Sequence, residues 1–399
     1  MHLPLRQLFL QHVAQTSPSP MGLEPERAEG IYIYGRNGER WIDFISGISV
    51  SNVGHRHPQV LEAIEAQLKK YLHLMVYGEY IQSPQVLLAS RLASMLPGLD
   101  SVYLVNSGAE ATEGAIKLAR RATGRKKICS FKNAYHGSTN GALSLMSEPY
   151  FTDAFQPLLP EVYHLDAGDI NSLGQIDHNT AAVFVEFIRG EAGAEPLDGA
   201  FITALYQRCK STGALFIADE IQTGFGRTGK FFACMHHGIT PDIILMAKGM
   251  GGGMPIGAFM SSLQLMHTLT DQPVLGHITT FGGHPVSCAA AAACFDIIQQ
   301  LDIETRIPQL ENQLRERLQH PAIKSISGKG LLLALEFESP EFAQTVIANC
   351  VKNGLITDWF LFAANKLRVC PPLTITSQQI DEACSIILSS IGSSYPTDK

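Results

Sequence analysis

The distribution of apolar and polar positions divides the chain into a central region and two flanks. Between residues 101 and 262, short apolar runs alternate with segments whose apolar positions repeat at helical spacing. The predicted strands are 101–107, 126–131, 181–187, 213–220, 242–248 and 256–262, and the predicted helices between them include 109–122 and 200–211. Continuous apolar strands separated by helices predict an α/β fold with a mostly parallel sheet that is covered on both faces.

The two flanks follow other patterns. Residues 31–45 predict a hairpin that turns at Asn37-Gly38, and the segment before residue 30 predicts an amphipathic helix followed by a Ser/Pro linker. Near the C-terminus, the sequence predicts a hairpin at 325–338, a helix at 340–352 and a helix at 377–389. These C-terminal elements indicate a separate, smaller α+β lobe.

Composition and charge narrow the classes of function. The 399 residues carry a formal charge of −7, so a basic surface for nucleic acid is not expected. No uninterrupted apolar run is long enough to span a membrane, and the N-terminus lacks the pattern of a signal peptide. The eight cysteines form no C-x-x-C pair, which predicts reduced thiols in a cytoplasmic protein. No metal site is predicted, because no acid or cysteine completes a ligand set around the paired histidines.

Polar residues follow three of the predicted strands at their carboxyl ends, where sheets of this kind bind ligands. Ser107 and Gly108 open a helix, which suits either an anion site or an ordinary helix cap. Asp219 and Glu220 end the next such strand, either as partners of an arginine or as carboxylates that face a cationic ligand. Lys248 is either a lysine that extends its charge to solvent or a partly desolvated nucleophile.

Taken together, these three sites supply a phosphate cradle, an acid for a pyridinium nitrogen and a lysine for an imine, which is the set that pyridoxal phosphate requires. Residues 215–258, from LFIADEIQTGFGRTGK to MAKGMGGGMPIGA, closely resemble the pyridoxal-phosphate attachment signature of class-III aminotransferases. The blocks GISVSNVGHRHP, NSGAEATEGAIKLAR, AYHGS and HITTFGGHP are similar to further blocks of that family. The resemblance, closest to acetylornithine and ornithine aminotransferases, extends over about residues 25 to 390.

The resemblance implies the fold and the assembly. It implies a fold-type I transferase whose large domain, residues 51–289, is built on a mostly parallel seven-stranded sheet. A small α+β domain would come from both chain ends, residues 1–50 and 290–399. The family also implies a cytoplasmic homodimer with shared active sites.

The resemblance also assigns residues to the cofactor. Lys248 matches the Schiff-base lysine, which also moves a proton from the donor to the cofactor, and Asp219 matches the partner of the pyridine nitrogen. Gln222 matches the residue near the phenolic oxygen, and Tyr135 the aromatic that stacks on the ring. The remaining matches to cofactor-binding positions are Ser107, Gly108, Ala109, His136, Glu186 and, for the phosphate of the neighbouring subunit, Thr280.

Glu191 and Arg368 match a switchable pair that lets one site accept two substrates in turn. The arginine binds an α-carboxylate once the glutamate has moved away. Ser138, however, stands where acetylornithine and ornithine enzymes carry an arginine that binds the donor's α-carboxylate. Ile48, in a substrate-binding position, replaces the tyrosine of ornithine-specific members, and Arg189 replaces the usual glutamine, either as a new carboxylate anchor or as surface variation.

The predicted function is therefore transfer of an amino group from an ω-amino donor to 2-oxoglutarate by ping-pong chemistry. The donor would be acetylornithine, ornithine, a 4-aminobutyrate-like compound or a related amine. The alternatives are a pyridoxal-phosphate-dependent aminomutase and a catalytically silent protein of the same fold. Tyr77 or Tyr80 is expected near the substrate entrance.

Overall fold

The computed structural model describes residues 4–394, and its centre is a seven-stranded sheet. The segment before this sheet contains α1 (Leu5–His12), β1 (Pro25–Glu29), β2 (Tyr32–Gly35), β3 (Arg40–Asp43), α2 (Ser46–Ser49), α3 (Pro58–Leu68) and α4 (Ser83–Met95). The central segment contains β4 (Ser101–Val105), α5 (Gly108–Thr123), β5 (Lys127–Phe131), α6 (Asn140–Ser144), α7 (Pro149–Thr152), β6 (Val162–Leu165), β7 (Thr180–Val185), β8 (Ile188–Arg189), β9 (Glu195–Pro196), α8 (Gly199–Thr212), β10 (Leu215–Asp219), β11 (Ile243–Met246), β12 (Gly257–Ser261) and α9 (Leu263–Met266).

The C-terminal segment contains α10 (Pro285–Gln300), α11 (Ile303–Arg317), β13 (Ser325–Lys329), β14 (Leu332–Glu336), α12 (Pro340–Lys352), β15 (Leu355–Ile356), β16 (Trp359–Phe360), β17 (Ala363–Val369) and α13 (Ser377–Gly392). Short 3₁₀ helices occupy Asp153–Phe155, Ile170–Gln175, Ala233–His237, Lys248–Gly251 and His267–Leu269.

The central sheet has the strand order β4-β12-β11-β10-β7-β5-β6. Strand β12 runs antiparallel to both of its neighbours, and the other pairs are parallel. This arrangement confirms the predicted mostly parallel sheet. Six of its strands coincide with predicted ones. The seventh, β6, was not predicted because its four residues form no continuous apolar run and one of its apolar side chains, Tyr163, is exposed.

Both faces of the sheet are covered, as the apolar strands predicted. Every residue of β7 is buried, and its side chains alternate between two apolar clusters. Val183 and Val185 belong to the larger cluster, whereas Ala182 and Phe184 belong to the cluster beneath helix α5. A strand that is buried on both faces needs apolar residues at nearly every position, which is the pattern of the sequence here.

The flanking segments form smaller sheets that join the chain ends. Strand β15 lies parallel to β3, so a C-terminal strand completes the N-terminal sheet of order β1-β2-β3-β15. The predicted hairpins at both ends are confirmed as β2–β3 and β13–β14, and β14 also pairs with β17. Helix α10 packs against α3 and α4 beside the central sheet. The exact division into two domains stays a prediction.

One guanidinium ties the central loop to both chain ends. Arg227, which follows β10, is 0% exposed and donates hydrogen bonds to the carbonyls of Leu331 and Pro371 and to Asn52 Oδ1, the last at 2.5 Å. None of these acceptors is a carboxylate. A buried cation whose Nη atoms bind oxygens from three segments holds those segments in one arrangement.

Helix α1 buries none of its residues against the rest of the chain. Within residues 4–394, no single helix is long and apolar enough to cross a membrane; helices α10 and α11 meet the length and composition criteria as a pair, but they are bent by 76°. All eight cysteines are buried and unpaired.

Candidate active site

A cavity of about 570 Å³ lies at the edge of the sheet where the parallel strands end. The register places Asp219, the last residue of β10, beside Leu245 of β11, and Ala218 beside Val185 of β7. Because these ends coincide, the residues that follow each strand converge on one site. The lining includes most of the predicted residues, namely Ser107, Gly108, Ala109, Tyr135, His136, Ser138, Glu186, Asp219, Gln222 and Lys248.

The turn between β4 and α5 has the form of an anion cradle. Ser107 caps the helix by accepting a hydrogen bond from Glu110 N at 3.2 Å, which leaves the first helical N–H groups free for a ligand. Strand β12 presses against this turn, since a Cβ at Gly257 would collide with the Ser107 carbonyl. Gly137 has φ +126°, and a Cβ there would meet Ala109 at 2.8 Å. Glycines thus let two segments, β12 and the segment at Gly137, approach the cradle closely.

Asp219 and His136 form a buried pair on the cavity wall. His136 Nδ1 lies 2.6 Å from Asp219 Oδ2, and the other carboxylate oxygen accepts from Ile221 N at 3.0 Å. Burial alone lowers the pKa of His136, but its hydrogen bond to Asp219 and the charges of Asp219 and Glu186 raise that pKa above its ordinary value. The contacts with His136 and Ile221 N therefore hold the Asp219 side chain in place at the carboxyl end of β10.

Lys248 follows β11 in a left-handed backbone conformation, with φ +46°. The residue after it, Gly249, lies against Asn52, because a Cβ there would come within 2.4–3.1 Å of that side chain. Burial lowers the pKa of Lys248; the carboxylate of Glu191 opposes this effect and the nearby Arg368 adds to it. A lowered pKa increases the share of neutral amine, the form that attacks a carbonyl.

Glu186, just after β7, connects the segment that carries Tyr135 to the central sheet. Its carboxylate accepts from Tyr135 N at 3.2 Å and from Gly190 N at 3.1 Å. Burial raises the pKa of Glu186. The Tyr135 hydroxyl reaches outward and lies 3.0 Å from Ser138 Oγ at the cavity rim.

Glu191 and Arg368 meet beside the cavity, behind Gln222. Three of their N–O distances are 3.1–3.3 Å, and Gln222 Nε2 donates to Glu191 at 2.9 Å. Arg368 is 1% exposed and Glu191 5% exposed. Burial alone would raise the pKa of Glu191 and lower the pKa of Arg368. The charges of Glu191 and Asp358 nevertheless raise the pKa of Arg368, and Arg368 lowers the pKa of Glu191. Both groups are therefore charged at neutral pH.

Several predicted residues lie elsewhere. Ile48 does not line the cavity, although its neighbour Val50 does. The Arg189 guanidinium points to the Lys132 carbonyl at 3.4 Å, and Thr280 is exposed outside the cavity. Tyr77 and Tyr80 line a second cleft of about 390 Å³, together with Val76, Gly78, Ile81, Gln85, Val86, Ala89, Val102, Tyr103, Leu104, Thr279 and Gly282.

The structure adds site residues that sequence reasoning missed. Asn106 lines the cavity and donates to Glu110 at 2.8 Å and to Thr279 at 2.9 Å. Ile221 lines it as well, and Asp358 contacts Arg368 at 2.8 Å. Asn106 and Ile221 stand inside the quoted blocks NSGAEATEGAIKLAR and DEIQ, so those blocks contained a signal for them; Asp358 lies in no block.

The residues present fit a phosphorylated pyridine. Two buried polar atoms next to the cavity, His136 Nε2 and Gln222 Oε1, have no hydrogen-bond partner. The cradle at Ser107 suits a phosphate, the carboxylate of Asp219 suits a ring N–H, and Lys248 supplies an amine in the same cavity. Over residues 4–394, no group of three or more His, Cys, Asp or Glu side chains is arranged to hold a metal ion.

Comparisons with known proteins agree with this chemistry. The family described as aminotransferase class-III matches residues 13–391. Acetylornithine aminotransferase of Archaeoglobus fulgidus is 39% identical over 91% of this chain and 94% of its own, and that of Bacillus subtilis is 39% identical over 92% and 95%. The structure of ornithine aminotransferase from Toxoplasma gondii, in which pyridoxal phosphate partially occupies the active site, has a TM-score of 0.91 at 30% identity, covering 98% of this chain and 93% of that one. The chain therefore belongs to the class-III aminotransferases, the pyridoxal-phosphate-dependent transaminases that its sequence blocks resemble.

Proposed function

We propose that this transaminase moves an amino group from an ω-amino donor to 2-oxoglutarate by a ping-pong mechanism. The observation that carries the proposal is the position of the Glu191–Arg368 pair, which is hydrogen-bonded to Gln222, a residue that lines the same cavity as Lys248 and Asp219. The groups for the cofactor thus lie next to a carboxylate-binding group that can be masked or exposed.

The cofactor supplies an electron sink that makes a C–H bond next to the substrate nitrogen acidic. Lys248 would hold the cofactor through Nζ and would then act as the base that moves the proton. Asp219, fixed by His136 and Ile221 N, would keep the ring nitrogen protonated. The turn at Ser107 would bind the phosphate.

The Glu191–Arg368 pair accounts for two substrates at one site. With an ω-amine bound, Glu191 neutralises Arg368, so the buried guanidinium is not left without a partner. With 2-oxoglutarate bound, the α-carboxylate would take the place of Glu191 on the guanidinium. An aminomutase needs no such exchange of partners, so the pair supports a transaminase over that alternative.

The donor is proposed only as a class. Relatives named acetylornithine aminotransferases share 35–39% of their residues with this chain. Ser138, exposed at the cavity rim, offers a hydroxyl where an arginine would bind a donor's α-carboxylate. We therefore include acetylornithine, ornithine, 4-aminobutyrate and simple diamines in one test panel.

The proposed assembly is a homodimer. A cluster of exposed apolar side chains surrounds the second cleft, and one of them, Ile81, is 95% exposed. Thr280 is exposed outside the cavity of its own chain, which fits a role at the phosphate of the neighbouring subunit. The eight buried thiols fit work in a reducing cytoplasm.

The test is the visible spectrum of the purified holoenzyme, titrated with each donor and then with 2-oxoglutarate. We expect one donor to bleach the yellow band and 2-oxoglutarate to restore it. Lys248→Ala should abolish detectable turnover, because the loss of a general base alone lowers the rate by roughly a hundredfold to ten-thousandfold. Bleaching by no donor would reject the donor class, and turnover by Lys248→Ala at the normal rate would reject the role of the lysine.

A further inference from the structure

We propose that Asp358 is the permanent partner of Arg368, the residue that keeps its guanidinium oriented to receive a substrate carboxylate whenever Glu191 has moved away. This inference rests on the proposed function. It assigns a positioning role to a residue outside the family blocks, in the turn between β15 and β16.

The two acids contact different parts of the guanidinium. Asp358 Oδ1 accepts from Arg368 Nε at 2.8 Å. Glu191 accepts from Nη1 and Nη2, at 3.1–3.3 Å. Asp358 therefore leaves the outer edge of the guanidinium, the pair of Nη atoms, for an exchangeable partner.

Further contacts on the Asp358 side do not depend on Glu191. The Arg368 guanidinium carbon lies 4.2 Å from the centre of the Phe360 ring, and Nη2 donates to the Trp359 carbonyl at 3.1 Å. The Arg368 backbone N–H donates to the Asp358 carbonyl at 2.9 Å, and Thr357 Oγ1 donates to the Arg368 carbonyl at 2.6 Å. The arginine is thus held by its backbone, its Nε and its ring contact.

Glu191 has partners other than Arg368. Its carboxylate accepts from Gln222 Nε2 at 2.9 Å and from Leu361 N at 3.2 Å. These contacts give Glu191 hydrogen bonds that do not involve Arg368. The geometry therefore divides the three charged groups into a fixed pair, Asp358 and Arg368, and one group, Glu191, that is free to exchange.

Charge explains why a second acid helps. Arg368 is 1% exposed, so without Asp358 it would depend on Glu191 alone for compensation, and the exchange would have to pull apart a tight buried pair. With Asp358 present, Glu191 and a substrate carboxylate compete for an arginine that is already half satisfied. Without the Asp358 carboxylate on Nε, the guanidinium is less firmly oriented, so a substrate carboxylate should bind it more weakly.

The test compares Asp358→Asn with Asp358→Glu and with a matched control, Glu195→Gln. Glu195 is paired with Lys366 on the same strand as Arg368 but does not contact the guanidinium. The two half-reactions are followed separately by cofactor absorbance, and the Kd of glutarate, a dicarboxylate that cannot react, is measured by calorimetry. We expect Asp358→Asn to bleach with the donor at the normal rate, but to need about tenfold more 2-oxoglutarate and to bind glutarate about tenfold more weakly, as expected for the loss of one hydrogen bond between charged groups.

Asp358→Glu, which keeps the charge, should recover part of the loss, and Glu195→Gln should behave like the wild type. Equal slowing of both half-reactions in Asp358→Asn, or unchanged dependence on 2-oxoglutarate and glutarate, would overturn the inference. If the wild type itself is not restored by 2-oxoglutarate, the proposed function fails instead, so the two failures are distinguishable.

Discussion

Replacing Ser138 by arginine should convert the enzyme towards donors that carry an α-carboxylate. Ser138 is exposed and lines the cavity, with its Oγ 3.0 Å from the Tyr135 hydroxyl. The open rim gives a longer side chain room to reach the far end of a bound donor. Ser138→Arg would place a guanidinium at the position where the acetylornithine and ornithine enzymes carry theirs.

The magnitude follows from the exposure of this position. A hydrogen-bonded guanidinium–carboxylate pair contributes about 1.5–3 kcal/mol, and the lower half of that range applies at a solvated rim. The lost bond to Tyr135 costs little, because water can replace Ser138. Since 1.4 kcal/mol is a factor of ten, kcat/KM for N-acetylornithine should rise about 12- to 40-fold.

The assay compares kcat/KM for N-acetylornithine with kcat/KM for a diamine that has no carboxylate, in the wild type, Ser138→Arg and Ser138→Gln. The glutamine variant controls for length and polarity without charge. We expect the gain in Ser138→Arg alone and with N-acetylornithine alone. An equal gain with the diamine, or the same gain in Ser138→Gln, would refute the argument that a missing carboxylate anchor limits the donor.

Three further predictions test the cavity and the loop behind it. Asp219→Asn, which loses the charge that holds His136 and would face the ring nitrogen, should lower kcat by about a hundredfold or more in steady-state assays while leaving the far-ultraviolet circular dichroism unchanged. Gly257→Ala places a Cβ against the Ser107 carbonyl, so the cofactor, titrated into apoenzyme by fluorescence quenching, should bind at least tenfold more weakly. Gly174→Ala, outside the cavity, serves as a control, because its Cβ meets no atom within 4 Å and its φ is not positive. Burial raises the pKa of Glu220 to about 7 from an ordinary 4.5. Between these pH values the folded state binds a proton that the unfolded state does not, so the free energy of unfolding falls as pH rises through them. In urea unfolding curves measured at a series of pH values, Glu220→Gln should remove this dependence on pH, and an unchanged slope would contradict the shift.

The sequence could predict which residues line the cavity where they follow apolar strands. Ser107, Asp219 and Lys248 each stand just after, or at the end of, a strand of the central sheet, and these three strands run in the same direction, which brings their ends to one edge. Their assignment to a cofactor required the family blocks, because each residue by itself has an ordinary structural explanation.

The parts that could not be predicted depend on long-range packing. Asp358 reaches Arg368 because residues 359 and 360 pair with the strand that carries the arginine, and no local pattern specifies that short pairing. The backbone between Ser46 and Ser49 passes through left-handed conformations, which apolar periodicity does not reveal, and Val50 rather than Ile48 lines the cavity. A role for Ile48 at the substrate stays a prediction.

The buried guanidinium of Arg227 has a consequence for exchanging parts between relatives. Two of its three acceptors are backbone carbonyls, those of Leu331 and Pro371, so this junction depends on the path of the chain rather than on the side chains at those positions. A C-terminal segment taken from another family member should graft successfully when its backbone follows the same path and Asn52 is kept. A single-residue insertion beside either carbonyl would instead leave part of a buried cation unsatisfied, at a cost of about 1–3 kcal/mol for each lost bond. Chimeras of this enzyme are therefore limited by loop length more than by sequence identity.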